Sequence, residues 1–221
     1  MPKPTWWNLH TTKREQILDE ALFEFSQFPY AQASITAMVR RLEIAKGSIY
    51  QYFTDKEDLY ITIVKLAHER VLYALRSRIP LSLYSESDVF VLLRRYFAET
   101  VSVSLDFPIE SALIQRSYTD TGPAAPVVRL LAATIQRSFV EEIITSATQS
   151  KSLRSDIDMR VTVFVLESLL ERMIPYINAN IAFDGGDSPE SVKQSAQQIV
   201  SFFDQLIAVL HGGLRSSSLE S

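Results

Sequence analysis

Residues 44–53 read IAKGSIYQYF, and the fold turns on why a glycine and two tyrosines share so short a segment. Inside a helix Gly47 costs about 1 kcal/mol against alanine, which a purely structural core helix would avoid. A plain surface loop would not gather Ile49, Tyr50, Tyr52 and Phe53. At about 100° per residue, Ile49 and Phe53 share one face and can anchor the segment to a core. Ser48 and Tyr52 share a second face, and Tyr50 projects along a third. Lys46, Gly47, Ser48, Tyr50 and Tyr52 are then placed to face outward. A helix this short is held by packing rather than by its own bonds. Gly47 lets a partner approach the backbone closely, and the positive end of the helix favours phosphate.

The flanking segments complete the pattern. Thr12-Lys13-Arg14-Glu15 has the form of a capping box, with Ile17, Leu18, Ala21, Leu22 and Phe25 on one face of the helix it opens. That helix is expected to stop near Phe28-Pro29. Ser34 is the expected cap of a second helix with the stripe Ile35, Met38, Val39 and Leu42. A break at Glu43-Ile44 leads into a third helix, Ala45 to Tyr52. Thr54-Asp55-Lys56-Glu57 reads as another capping box, opening a long helix that runs to Arg78 and ends at Pro80. Two helices joined by a short turn, the second offering its amino end, describe a helix-turn-helix.

Further helices are expected near 86–105, 109–117, 124–149, 157–181 and 189–211, with TDTGPAAP (119–126) and AFDGGDSP (182–189) as turn-rich connections. Ser188-Pro189 reads as a cap followed by proline at the first helical position. Six glycines in 221 residues, and no clear alternating β-branched segments, point to an all-α chain. It is expected to divide into a helix-turn-helix domain, 1–54, and a larger helical unit, 55–221, joined by the helix 55–78 rather than by a flexible tether.

Composition narrows the function. The chain is 47% hydrophobic and 22% charged, with no apolar run long enough for a membrane span. MPKPTWWNLHTTKRE lacks an apolar signal core, so a cytoplasmic location is expected. Zero cysteines exclude disulfides, thiolate metal sites and cysteine nucleophiles. His10, His68 and His211 are scattered, so neither metal nor cofactor is expected. No HExxH, GxSxG or phosphate-binding glycine loop occurs, and the chain does not read as an enzyme, although acid–base pairs assembled in space stay open. Net charge is −4, but residues 1–56 hold seven Lys and Arg against six Asp and Glu, and the rest 15 against 20. The acidity lies in the C-terminal part, and a small basic face can still meet a phosphate backbone.

SITAMVRRLEIAKGSIYQYFTDKEDLY (34–60) resembles the DNA-binding signature of the tetracycline-repressor (TetR) family of bacterial regulators. The specific part is K-G-S-I-Y-x-Y-F, a short gap and K-E-D-L; the likeness extends back through the first helix. The resemblance implies a three-helix DNA-binding domain followed by a larger helical ligand-binding and dimerisation bundle. It implies a homodimeric, ligand-responsive transcriptional regulator, a repressor that releases a palindromic operator on binding a small molecule. It places Ala45, Lys46, Gly47 and Ser48 at the operator-facing start of the recognition helix, Tyr50 against thymine methyls or phosphate, and Tyr52 against phosphate. Ser34 and Thr36, opening the second helix, and Lys56, opening the fourth, fall where the family contacts DNA backbone. One departure is Glu43, where the family commonly has glycine: a left-handed residue there costs about 1–2 kcal/mol, and its carboxylate adds negative charge near DNA.

Plainer readings stand beside these. Tyr50 and Tyr52 can simply cover the domain surface, and Lys46 and Lys56 can be solvated charges. Arg40 and Arg41 point in different directions and are not assigned to DNA. Trp6 and Trp7 are expected to fold back on the domain, the alternative being an arm in the minor groove.

In 157–181 the residues Val165, Leu166, Leu169, Leu170, Met173, Ile174 and Ile177 cover an arc of about 180°. The face of 189–211, with Val192, Ala196, Ile199, Val200, Phe202, Phe203, Leu206, Ile207 and Leu210, is also wider than one core contact needs. Each helix is therefore expected to pack on its own core and on a partner, and the resemblance likewise implies a four-helix dimer interface. Val165, Leu169, Met173, Phe202, Phe203, Leu206 and Leu210 are the candidates. An effector pocket is implied by the resemblance, with Tyr96, Phe97, Arg116, Tyr118, Phe139, Phe164 and Tyr176 as candidates that can equally fill core or lie on the surface. Effector binding is expected to tilt the helix 55–78 and respace the recognition helices. The competing functions are an all-helical enzyme and a helical interaction protein whose first helices do not bind DNA.

Overall fold

In the computed structural model, which describes residues 2–79, 88–149, 153–154, 156–180 and 189–214, every regular element is an α-helix. The first five are α1 (Pro4–Trp7), α2 (Thr11–Gln27), α3 (Ile35–Arg41), α4 (Lys46–Tyr52) and α5 (Lys56–Arg78). They are followed by α6 (Val89–Asp106), α7 (Pro108–Thr119), α8 (Ala125–Gln149), α9 (Met159–Asn180) and α10 (Pro189–Leu214). Among the described residues no helix is long and apolar enough to cross a membrane.

Local chemistry explains the starts of α3 and α5, and two of the expected capping boxes are corrected. Ser34 caps α3 as its sequence predicts, its hydroxyl accepting the Ala37 N–H at 3.2 Å. The box at Thr12 is not used: α2 begins at Thr11, with His10 at the cap position and no side-chain cap bond. At α5 the box is displaced by one residue. The Asp55 carboxylate accepts the Asp58 N–H at 2.8 Å, and the Asp58 carboxylate accepts the Thr54 N–H at 3.0 Å. A carboxylate makes the stronger, charge-assisted cap, so Asp55 and Asp58 take the roles expected of Thr54 and Glu57. The expected cap at Ser188 lies outside the described residues.

The chain forms two compact units, Met1–Leu72 with Phe107–Ala132, and Tyr73–Asp106 with Ala133–Ser221. In the first, α2 packs on α7, and Ile17, Phe25, Met38, Ile49, Phe53, Leu59, Ile63 and Leu113 are sealed from solvent in one core. Tyr60 sits edge-on to Phe25 and Tyr30, with centroids 5.0 and 5.1 Å away. The Asp120 carboxylate accepts the Tyr30 N–H at 2.8 Å and the Tyr60 hydroxyl at 3.2 Å. Burial, and the charge of Asp120 beside it, raise the Tyr60 pKa. Tyr30 lies so close over Gly122 that a Cβ there would be 2.6 Å from its ring, so only glycine fits.

In the second unit α6 packs on α10. Phe97 stacks on Phe203 at 4.4 Å and 9°, and Arg94 donates to both carboxylate oxygens of Asp204, at 2.7 and 3.2 Å.

His68 is buried in α5, with Nδ1 2.9 Å from the Val64 carbonyl, to which it donates, and with no partner for Nε2 among the described residues. Burial lowers its pKa from 6.5, against the opposing pull of the Val64 carbonyl. The folded state therefore resists a proton that the unfolded chain takes up. Stability should be complete above pH 6.5 and fall below it, by up to about 1.4 kcal/mol per pH unit until the folded ring itself titrates. Thermal unfolding across that range should show the slope in the native protein and a flatter profile in His68→Phe.

Candidate nucleic-acid interface

The turn between α3 and α4 is made by one left-handed residue, Glu43, at φ 53°. Its N–H reaches the Arg40 carbonyl at 3.2 Å and the next N–H, of Ile44, reaches Val39 at 3.0 Å, which stops α3 and redirects the chain. Ala45 is extended and α4 starts at Lys46. Ile49 and Phe53 point into the first unit's core with no accessible surface, as their spacing predicts.

The remaining faces of α4 are open to different degrees. Ala45, Lys46, Gly47 and Tyr50 are exposed, and Ser48 is half-buried. A Cβ built on Gly47 meets nothing within 4 Å. Tyr52 is half-buried, edge-on to Trp6 at 5.7 Å. At the start of α3, Thr36 is exposed, while Ser34 is half-buried and engaged as the cap. Lys56 is committed to the fold: its ammonium donates to the Tyr30 carbonyl and lies 4.7 Å from that ring's centroid. Burial lowers its pKa, against the opposing charges of Glu24 and Asp120.

Two features of this region were missed by sequence reasoning. Glu24, almost fully buried on α2, accepts the Ser34 N–H at 2.7 Å and pairs with Arg41, so one carboxylate holds α3 at both ends. The signal was present: Glu24 falls seven residues after Ile17, on the apolar stripe. Arg41 pairs also with Glu20. The second is α1. It separates the two tryptophans, burying Trp6 to 3% exposure and leaving Trp7 at 65%, with the Arg14 guanidinium 5.9 Å from its ring. Folding back thus holds for Trp6 alone.

The effector candidates are divided between the two units. Arg116 donates to the Ser26 carbonyl through two nitrogens, at 3.2 and 3.1 Å, and Tyr118 packs against the first unit's core. Phe97 is buried in its stack with Phe203, and Tyr96 lies edge-on to it at 5.9 Å. Phe164 is 69% exposed, Tyr176 stacks on Phe202 at 5.3 Å, and the Phe139 side chain lies outside the described residues. An open cleft of about 440 Å³, lined by Gln16, Asp19, Glu20, Arg41, Leu42 and Glu43, contains none of them. Of the dimer candidates, Phe203 and Leu210 are buried within their own unit, while Val165, Leu169, Phe202 and Leu206 are half-buried; the Met173 side chain is not described.

A helix-turn-helix at the amino end of a chain whose described elements are all helices is the arrangement used by DNA-binding transcriptional regulators. Residues 17–63 match the family model described as bacterial regulatory proteins, tetR family. The HTH-type transcriptional regulator AcrR of Shigella flexneri is 24% identical over 174 residues, which cover 73% of this chain and 76% of that protein. The crystal structure of a TetR family transcriptional regulator from Chloroflexus aurantiacus J-10-FL is 27% identical with a TM-score of 0.60, covering 98% of this chain and 99% of that one. The fatty acid degradation regulator FadR from Bacillus halodurans shares the fold, with a TM-score of 0.63 at 17% identity over 91% and 99% of the two chains. Over residues 17–63 the chain is thus similar to the TetR family, and over most of its length it is similar to transcriptional regulators.

Glu43 is strained where glycine would not be. Glu43→Gly should stabilise the protein by about 1 kcal/mol, raising Tm by roughly 2–4 °C. An unchanged or lowered Tm in calorimetry would contradict the strain.

Proposed function

We propose that the protein is a homodimeric repressor that lays α4 of each subunit into successive major grooves of a palindromic operator and lets go when a small-molecule effector binds. What carries this reading is Gly47. It sits in an exposed helix with nothing within 4 Å of where its side chain would be. The fold has no internal use for a residue that costs about 1 kcal/mol in a helix. A partner surface that must approach the backbone does have one. Around it, Lys46 offers charge to phosphate, and Tyr50, 37% exposed, offers a flat apolar face and a hydroxyl. Ala45, Ser48 and Thr36 complete the operator-facing set, with Ser34 and Tyr52 at its margin. Lys56 would have to leave Tyr30 to join it.

In this reading, residues 1–54 bind DNA and residues 55–221 sense and dimerise. Support for the dimer comes from apolar side chains left open on α9 and α10, with Phe164 at 69% and Val209 at 73% exposure beside the half-buried Phe202 and Leu206. The effector binds among α5 to α9; Arg116 and Tyr118, already occupied in the first unit, are the weakest members of its candidate set. It shifts the population toward a state in which α5 is tilted and the two copies of α4 no longer match one turn of DNA, and it can do so only by its differential affinity for the two states.

Selection of bound sequences from a random DNA pool should return a palindrome, and Lys46→Ala with Tyr50→Ala should abolish binding to it while leaving the dimer intact. Gly47→Ala should act with opposite signs on the two properties. It should raise stability by up to about 1 kcal/mol and weaken operator binding by about tenfold or more. Unchanged operator affinity in Gly47→Ala would remove the reason for the glycine. In gel shifts the palindrome should bind much more tightly than its half-site, with recognition helices about 34–36 Å apart. Equal affinities would overturn the dimer.

A further inference from the structure

The last carbonyls of any helix lack partners within it, and a seven-residue helix has few bonds to spare. In α4 the Ile49 carbonyl is taken by the Phe53 N–H at 2.9 Å. The next three carbonyls are all satisfied by residues 3–5. Lys3 Nζ donates to Tyr50 at 2.8 Å, Thr5 Oγ1 to Gln51 at 2.6 Å, and the Lys3 N–H to Tyr52 at 2.7 Å. Trp6 backs these bonds, its indole 5.7 Å from the Tyr52 ring and 5.0 Å from Phe53. The ammonium of Lys3 also meets the negative end of the α4 dipole.

We infer that Lys3 and Thr5 are positioning residues for operator recognition, clamping the carboxyl end of α4 so that the helix reaches DNA already formed. The inference rests on the proposed DNA-binding role of α4. Tyr50, whose side chain faces outward, has its own carbonyl in the clamp, so its direction is fixed from behind. A helix end that frays in the free protein must be ordered on binding, and that ordering lowers affinity without removing any contact to DNA. Lys3 acts here through α4 and not as a ligand of phosphate.

The test compares wild type with Lys3→Met, Thr5→Val and the double variant on the operator selected by the wild type. The double variant should bind about tenfold more weakly. Amide exchange across residues 49–53 of the free protein should speed up by a similar factor, with exchange in α2 unchanged. The slope of log affinity against log salt should stay as in wild type, because no phosphate contact is lost. Lys3→Arg and Thr5→Ser, which keep the donors, should restore both readouts. Wild-type exchange at 49–53 in the double variant would overturn the clamp, as would operator affinity within about twofold of wild type. A salt slope reduced by about one unit would make Lys3 a phosphate contact instead, and would also overturn it. A wild-type protein that selects no DNA sequence would sink the regulator reading, while the exchange comparison still decides whether residues 3 and 5 hold α4.

Discussion

Ile49 and Phe53, both without accessible surface, hold in place a helix of seven residues that could not persist alone. Nucleation makes isolated helices shorter than about 12–15 residues marginal. Burying one large apolar side chain returns about 1.5–3 kcal/mol, so two such anchors decide whether α4 exists. They also decide which way it faces. With residues i and i+4 committed inward, Lys46, Gly47 and Tyr50 are left outward on the remaining arc. Anchoring and presentation are one consequence of one spacing.

Polar fastenings then fix where that helix sits. A buried carboxylate is unfavourable unless paired; Glu24 satisfies the condition with both ends of α3, through the Ser34 N–H and Arg41. Asp120 does the same for the chain just before α3, binding the Tyr30 N–H and the Tyr60 hydroxyl. Lys56 adds its bond to the Tyr30 carbonyl. The segment from Phe28 to Ser34 is thus tied to α2, α5 and the turn after α7, and α3 enters the left-handed turn at Glu43 from a fixed direction.

The parts that were legible in the sequence are those written in local chemistry. The Ser34 cap, the break at Glu43 and the pairing of Ile49 with Phe53 each depend on residues within a few positions of one another. The unused box at Thr12 and the displaced one at Thr54 mark the limit of that reading. Where Thr54 and Asp55 are neighbours, either can cap, and local pattern does not rank them. The four residues of α1 are too few to carry a period. The separation of Trp6 from Trp7 depends on a helix some forty residues further along the chain. Distance in sequence also hid the partners of Lys56 and Arg116, which are 26 and 90 residues away. An aromatic at helical spacing suits a pocket and a core equally well, and Phe97 shows the second use in its stack with Phe203.

Methylation interference with dimethyl sulfate on the selected operator asks most directly whether α4 enters a major groove. Guanine N7 opens into that groove and adenine N3 into the minor one. Premethylation at N7 should block binding in two clusters about 10 base pairs apart, one for each subunit. Interference confined to adenine N3, or a single cluster with no symmetry mate, would contradict a twofold protein reading DNA through α4.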